Sequence, residues 1–174
     1  MTLVTFLSTC AMLLGLGGIL PQLVRMVRSR SASGQAPLGW GMGCAAHASM
    51  AYVIAHEMGH HVQQQLGISA QVDEIRRSDP ERANDASVRL ELQADCYAGV
   101  WARRVFDQLD PGDLEEAFTA SEAVGDDRLQ QQAGRRVDPD SFTHGSSAQR
   151  RAWFERGQAR GEPADCDTFS AESL

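Results

Sequence analysis

The chain has no lysine; all 16 of its cations are arginines. That bias by itself says little about chemistry. Residues 1–55 contain no acidic side chain, and no basic stripe follows them: net charge is −7, with 23 acids, all from Glu57 onward. This balance excludes a general nucleic-acid binder, which needs clustered positive charge against phosphates. No phosphate-binding glycine loop is present, which excludes that route to nucleotide chemistry. There is no nucleophile elbow and hence no hydrolase of that type. There is no internal repeat and hence no solenoid. What is there is a chain of 174 residues, 43 % hydrophobic. That is too apolar for a disordered segment and long enough for one domain, or one small domain with an appendage.

Two unlike materials are joined near residue 55. Residues 1–55 carry three charges, Arg25, Arg28 and Arg30, whereas the rest sets 23 acids against 13 arginines, a balance of −10. Leu3–Val24 is uncharged and long enough to cross a hydrocarbon core, which takes about 20 helical residues. Gly15, Gly17, Gly18 and Pro21 within it are tolerated in membrane helices. No cation precedes the run and no small-residue cleavage site closes it, so it does not read as a signal peptide. The arginines that follow favour a cytoplasmic position for that end. Ser31–Pro37 reads as a loop, and Leu38–Ala55 as a second apolar helix. Gly39, Gly41, Gly43, Ala45 and Ala46 allow close helix packing there. The other reading of Leu38–Ala55 is a buried helix of a soluble domain.

Gly18-Ile19-Leu20-Pro21-Gln22-Leu23-Val24, Arg30-Ser31-Ala32-Ser33-Gly34 and Leu38-Gly39-Trp40 together resemble the PQ-loop repeat of small-solute membrane transporters. In that family a Pro-Gln pair kinks the first of three helices. The resemblance covers two of them. The polar turn of the sequence after Ala55 leaves no third helix, and half a repeat lines no pathway.

The acidic part opens on His56-Glu57-Met58-Gly59-His60, a His-Glu-x-x-His pattern. Helical residues four apart share a face, so His56 and His60 can direct two imidazoles at one ion. Zinc takes imidazole nitrogen readily, and a catalytic site keeps a position open for water. Glu57 is placed to accept that water's proton. Tyr52-Val53-Ile54 supplies an apolar shell. The bland reading is a surface helix with incidental histidines.

Two histidines need a further donor. Ser87–Phe106 reads as a helix, and on it Glu91 and Asp95 are again four apart. Glu91 can complete a His, His, Glu set, and Asp95 can accept the free ring N–H of a ligand histidine. Further on, Ser146 is placed to cap a helix through Trp153 and Phe154. His144 sits just before it, on a turn, where it can donate to an oxyanion or simply face solvent.

His56–Val62, Leu90–Trp101, Gly125–Gln130, Phe142-Thr143-His144-Gly145 and Cys166-Asp167-Thr168-Phe169 together resemble the bacterial family of neutral zinc metallopeptidases, over about residues 51–170. The arrangement is more distantly similar to gluzincin peptidases, whose third ligand is the first glutamate of Glu-x-x-x-Asp. The resemblance implies zinc held by His56, His60 and Glu91, with Glu57 as base. It also implies Asp95 behind a ligand, His144 near the oxyanion and Arg150 bracing the site. Family members carry a long segment before the catalytic helix, expected to supply a small sheet whose edge strand holds a peptide. Here a partial PQ-loop repeat stands in its place, with a join expected within Ala51–Ala55, as in a fusion or truncation.

Cys10 and Cys44 read as packing groups in apolar helices. Cys96 and Cys166 could pair, which would require an oxidising compartment. Pro111-Gly112-Asp113 marks a turn, with Asp113 capping a helix over Leu114–Val124. Asp126–Ala133 reads as helical, with Asp126-Asp127 as helix-start charges.

The expected fold is mainly α, a two-helix membrane hairpin over residues 1–55 followed by a reduced zincin-like, gluzincin-type domain over 51–170 and a tail at 171–174. The expected function is a membrane-anchored zinc metalloendopeptidase acting on a peptide or protein substrate, without nucleic acid as partner. The expected place is the cell membrane, with the catalytic part outside the cytoplasm. The alternatives are an inactive membrane-anchored zinc-binding or interaction module, and after it a PQ-loop transporter fragment.

Overall fold

The computed structural model describes residues 37–174 except 106, 108 and 111, with side chains from His47 onward. The described residues contain helices and no strand. In order they are α1 (Pro37–Gln65), α2 (Ile68–Ser78), α3 (Ala83–Arg104), α4 (Asp113–Ala123), α5 (Asp126–Gln132) and α6 (Ser147–Arg160). Short 3-10 turns cover Pro139–Ser141 and Pro163–Cys166. The compact unit that carries the site runs from Ala45 to Leu174.

Buried α3 lies at the centre, with Leu92, Ala94, Asp95, Cys96 and Ala98 all inaccessible to solvent. Two of its neighbours approach it through glycine. A Cβ on Gly99 of α3 would collide with the Phe154 carbonyl of α6, and one on Gly157 of α6 with the Cys96 carbonyl of α3. The two backbones therefore touch. That approach brings Arg150, two turns before Gly157, alongside Asp95. On the other flank, a Cβ on Gly59 of α1 would lie 3.0 Å from the Ala94 carbonyl. The glycine inside the His-Glu-x-x-His pattern thus sets how close α1 comes to α3.

Apolar spacing accounts for the packing. Ile68, Val72 and Ile75 of α2 meet Ala86 and Leu90 of α3. Tyr52 and Ala55 of α1 join Ala98, Ala102, Phe118 and Phe154 in a second cluster. Ser146 caps α6 in a reciprocal box with Gln149. Asp113 is the first residue of α4 rather than its cap; the cap position belongs to Gly112, at φ 105°. Beyond α6 the chain returns along α3. The Cys96–Cys166 disulfide fastens it there, and the Thr168 hydroxyl donates to the Arg89 carbonyl at 2.7 Å.

The membrane hairpin is not supported. Leu3–Val24 lies outside the described residues. Leu38–Ala55 is helical, but among the described residues no helix is long and apolar enough to cross a membrane. The physical reason is continuity: α1 runs unbroken through residues 51–55 into the polar stretch ending at Gln65. Its buried positions from Ala48 onward meet protein rather than lipid, while Ile54 and Met58 face solvent.

Candidate metal centre

His56 and His60 project from one face of α1 toward Glu91 of α3. The His56 Nε2 lies 3.2 Å from Glu91 Oε2 and the His60 Nε2 3.5 Å from Oε1. One ligand atom from each residue fits within 4.8 Å of the others. These separations are long for a charge-assisted hydrogen bond, which closes to about 2.7–2.9 Å. They suit a shared ion, since bonds of about 2.0–2.1 Å in a tetrahedral shell give ligand–ligand edges of about 3.3 Å. The donor chemistry suits zinc as well: two imidazole nitrogens, one carboxylate and no thiolate. Glu91 is partly buried and the His56 side chain nearly fully so.

Both Nδ1 atoms are turned away from this point toward acceptors. The His56 Nδ1 donates to Asp95 Oδ1 at 2.8 Å. The His60 Nδ1 donates to Gln63 Oε1 at 2.8 Å. A neutral ring at either position therefore keeps its proton on Nδ1 and can offer Nε2 to a metal at the centre.

Asp95 is fully buried and accepts from three side chains. Tyr52 donates its hydroxyl at 2.6 Å, and Arg150 donates Nε at 2.8 Å and an Nη at 3.0 Å to the two oxygens. Burial alone would raise this carboxyl, but the His56 hydrogen bond and the Arg150 charge hold it below the usual carboxylate range. Glu91 is likewise lowered, because hydrogen bonds from both histidines outweigh its burial. Burial would lower the His56 imidazole, yet hydrogen bonds to Asp95 and Glu91 carry it up to about 9. His60 is raised chiefly by its hydrogen bond with Glu91.

The other sequence-expected residues lie as follows. Glu57 is solvent-exposed on α1, one position from His56. His144 is exposed on the turn before α6. Its backbone N–H and that of Thr143 both donate to Asp126 Oδ2 at 2.7 Å, and its Nδ1 lies 3.2 Å from Asp126 Oδ1. Gly145, at φ 90°, packs this turn against Leu92, the residue after Glu91. Asp127 accepts the backbone N–H and the hydroxyl of Ser147. The acid pair therefore fastens the His144 turn as well as opening α5.

Two residues of the centre were not foreseen as such. Tyr52 reads in sequence as part of an apolar run, and Gln63 as one of three consecutive glutamines. The available signal was spacing: Tyr52 lies four residues before His56 and Gln63 three after His60, both on the ligand face.

Residues 37–169 match the family described as "Putative neutral zinc metallopeptidase". The chain belongs to this family. Similar relatives include the uncharacterized protein YpfJ of Escherichia coli (strain K12), 57 % identical over 121 residues, which are 68 % of this chain and 42 % of that protein. Another is the uncharacterized protein Rv2575 of Mycobacterium tuberculosis (strain ATCC 25618 / H37Rv), 45 % identical over 135 residues, 71 % of this chain and 45 % of its own length. The chain thus spans less than half of these curated relatives. No solved structure matches it. The family match begins at residue 37, and the PQ-loop resemblance of the preceding residues finds no support in it.

Proposed function

We propose that this family member is a zinc-dependent peptidase acting on peptide or protein substrates. The observation that carries the reading is the meeting of His56 Nε2, His60 Nε2 and the Glu91 carboxylate at one point, with Glu57 beside them on α1. Zinc bound by these three groups supplies a Lewis acid that acidifies water and polarises a carbonyl. The chain's own residues do the rest. Glu57, exposed and without a side-chain hydrogen-bond partner among the described residues, takes the proton of the attacking water and passes it to the leaving amine. His144, held by Asp126, donates to the oxygen on which charge develops. Asp95 fixes His56, and Arg150 and Tyr52 fix Asp95.

The Cys96–Cys166 disulfide supports an oxidising, extracytoplasmic location for the domain. A second reading is a zinc-holding module that cuts nothing, favoured by one observation: the described residues contain no strand to hold a peptide by its backbone. Metal analysis combined with a peptidase assay of wild type and Glu57→Gln separates the two. The peptidase reading expects stoichiometric zinc in both proteins and a rate loss of about 10²–10⁴-fold in the variant. Equal rates in the two proteins, or no chelator-sensitive cleavage by wild type, would contradict it.

A further inference from the structure

The support behind His60 runs further than one hydrogen bond. The Gln93 Nε2 donates to the Cys166 carbonyl at 3.0 Å. The Gln63 Nε2 donates to Gln93 Oε1 at 3.1 Å and to the Leu90 carbonyl at 2.7 Å. The Gln63 Oε1 accepts from His60. Gln63 is fully buried and Gln93 nearly so, at 0 % and 5 % exposure. No water is therefore at hand to correct a mismatched end.

A carboxamide has a donor end and an acceptor end that a half-turn exchanges. A backbone carbonyl only accepts and cannot exchange. The Cys166 carbonyl thus compels the Nε2 of Gln93 toward itself and the Oε1 toward Gln63. That oxygen and the Leu90 carbonyl both demand donors, so they compel the Nε2 of Gln63 toward themselves. The oxygen of Gln63 is then the end left to face the His60 Nδ1, and it accepts only from Nδ1–H.

We infer that Gln63 and Gln93 are positioning residues that dictate the tautomer of His60, and that the Leu90 and Cys166 carbonyls set the direction. A neutral His60 is left with its proton on Nδ1 and offers Nε2, the nitrogen facing Glu91, to a metal. The last link belongs to a residue whose side chain is bonded to Cys96, next to Asp95. The C-terminal return of the chain is therefore coupled to the His60 side of the centre. The consequence for zinc rests on the reading of His60 as a ligand; the tautomer itself does not.

The test uses the full-length chain labelled with ¹⁵N. Long-range ¹H–¹⁵N spectra of the metal-free protein, recorded with the rings neutral, report which nitrogen of His60 carries the proton. The expected result is Nδ1–H for His60 in wild type. In Gln63→Met, nearly the same shape without the amide, His60 loses its Nδ1–H acceptor and should populate both tautomers while His56 keeps Nδ1–H. Zinc affinity by chelator competition should fall about 10-fold in that variant. An Nε2–H ring in wild type overturns the inference without any variant. A folded Gln63→Met with unchanged tautomer and unchanged zinc affinity overturns it equally. Wild type with Nδ1–H at His60 but no zinc binding would sink the ligand reading and leave the tautomer inference standing.

Discussion

The two histidines of the centre are held by opposite kinds of chemistry. Behind His56 stands a buried ionic cluster, Asp95 with Arg150 and Tyr52. Behind His60 stand neutral carboxamides, Gln63 and Gln93. Both present Nε2 to Glu91. They differ in what happens when one member is removed. Deleting part of an ionic cluster strands a charge in a low-dielectric interior. Deleting an amide strands only a dipole. The difference also shows in titration: His56, facing Asp95 and Glu91, rises to about 9, whereas among the described residues the carboxylate acting on His60 is Glu91 alone.

The largest expected effect is on the ionic side. Asp95→Ala should cost about 3–5 kcal/mol of stability, because the Arg150 guanidinium stays buried without its partner. Denaturant unfolding measures this. Replacing both members, Asp95→Asn with Arg150→Met, should cost less than Asp95→Ala alone. A double variant that is worse than the single one would show that the cluster is not held together by paired charge.

Next comes the neutral side. Gln63→Met should cost about 1–3 kcal/mol, the penalty of unsatisfied buried groups, with a loss of zinc affinity of about 10-fold. Unfolding curves and chelator competition read the two quantities separately. If Gln63→Met proved as damaging to stability as Asp95→Ala, the contrast between the two supports would fail.

Protons sharpen the contrast further. At pH 7 the His56 imidazole of the metal-free protein is charged, because its value of about 9 lies above the ordinary value of about 6.5. Zinc must displace that proton, so binding should release about one proton from His56, with a further share from His60. Calorimetry in two buffers of different ionisation enthalpy measures the release. The same raised value gives the metal-free fold stability that is fully present below about pH 6.5 and is lost as pH rises through about 9. The lowered Asp95 and Glu91 act in the other sense, their contribution being lost in acid. Tyr52→Phe is the smallest of these changes: one hydrogen bond to a carboxylate, about 1.5 kcal/mol, read as a small drop in melting temperature with zinc still bound.

Much of this is legible in the amino-acid sequence. His56 with His60 and Glu91 with Asp95 both announce themselves as pairs four apart. Ser146 announces a cap, and the Cys96–Cys166 pairing was open but available. What escaped did so for physical reasons. Leu38–Ala55 is apolar enough to suggest lipid, and only the run of the same helix on to Gln65 and the packing of Tyr52 against Phe154 reassign it. Gly99 and Gly157 look like ordinary helix-weakening residues until two backbones meet at them. Gln63 and Gln93 have no pattern of their own, because a carboxamide's role is fixed by its partners. Asp113 stands one position inside α4 rather than at its cap, since the cap needs the left-handed turn that Gly112 takes.

The most direct test is a crystal structure of the zinc-loaded chain with anomalous diffraction at the zinc edge. The account predicts one strong peak about 2.0–2.1 Å from His56 Nε2, His60 Nε2 and a Glu91 oxygen, with both Nδ1–acceptor contacts retained. A peak elsewhere, or none at this point in a fully loaded crystal, would contradict it.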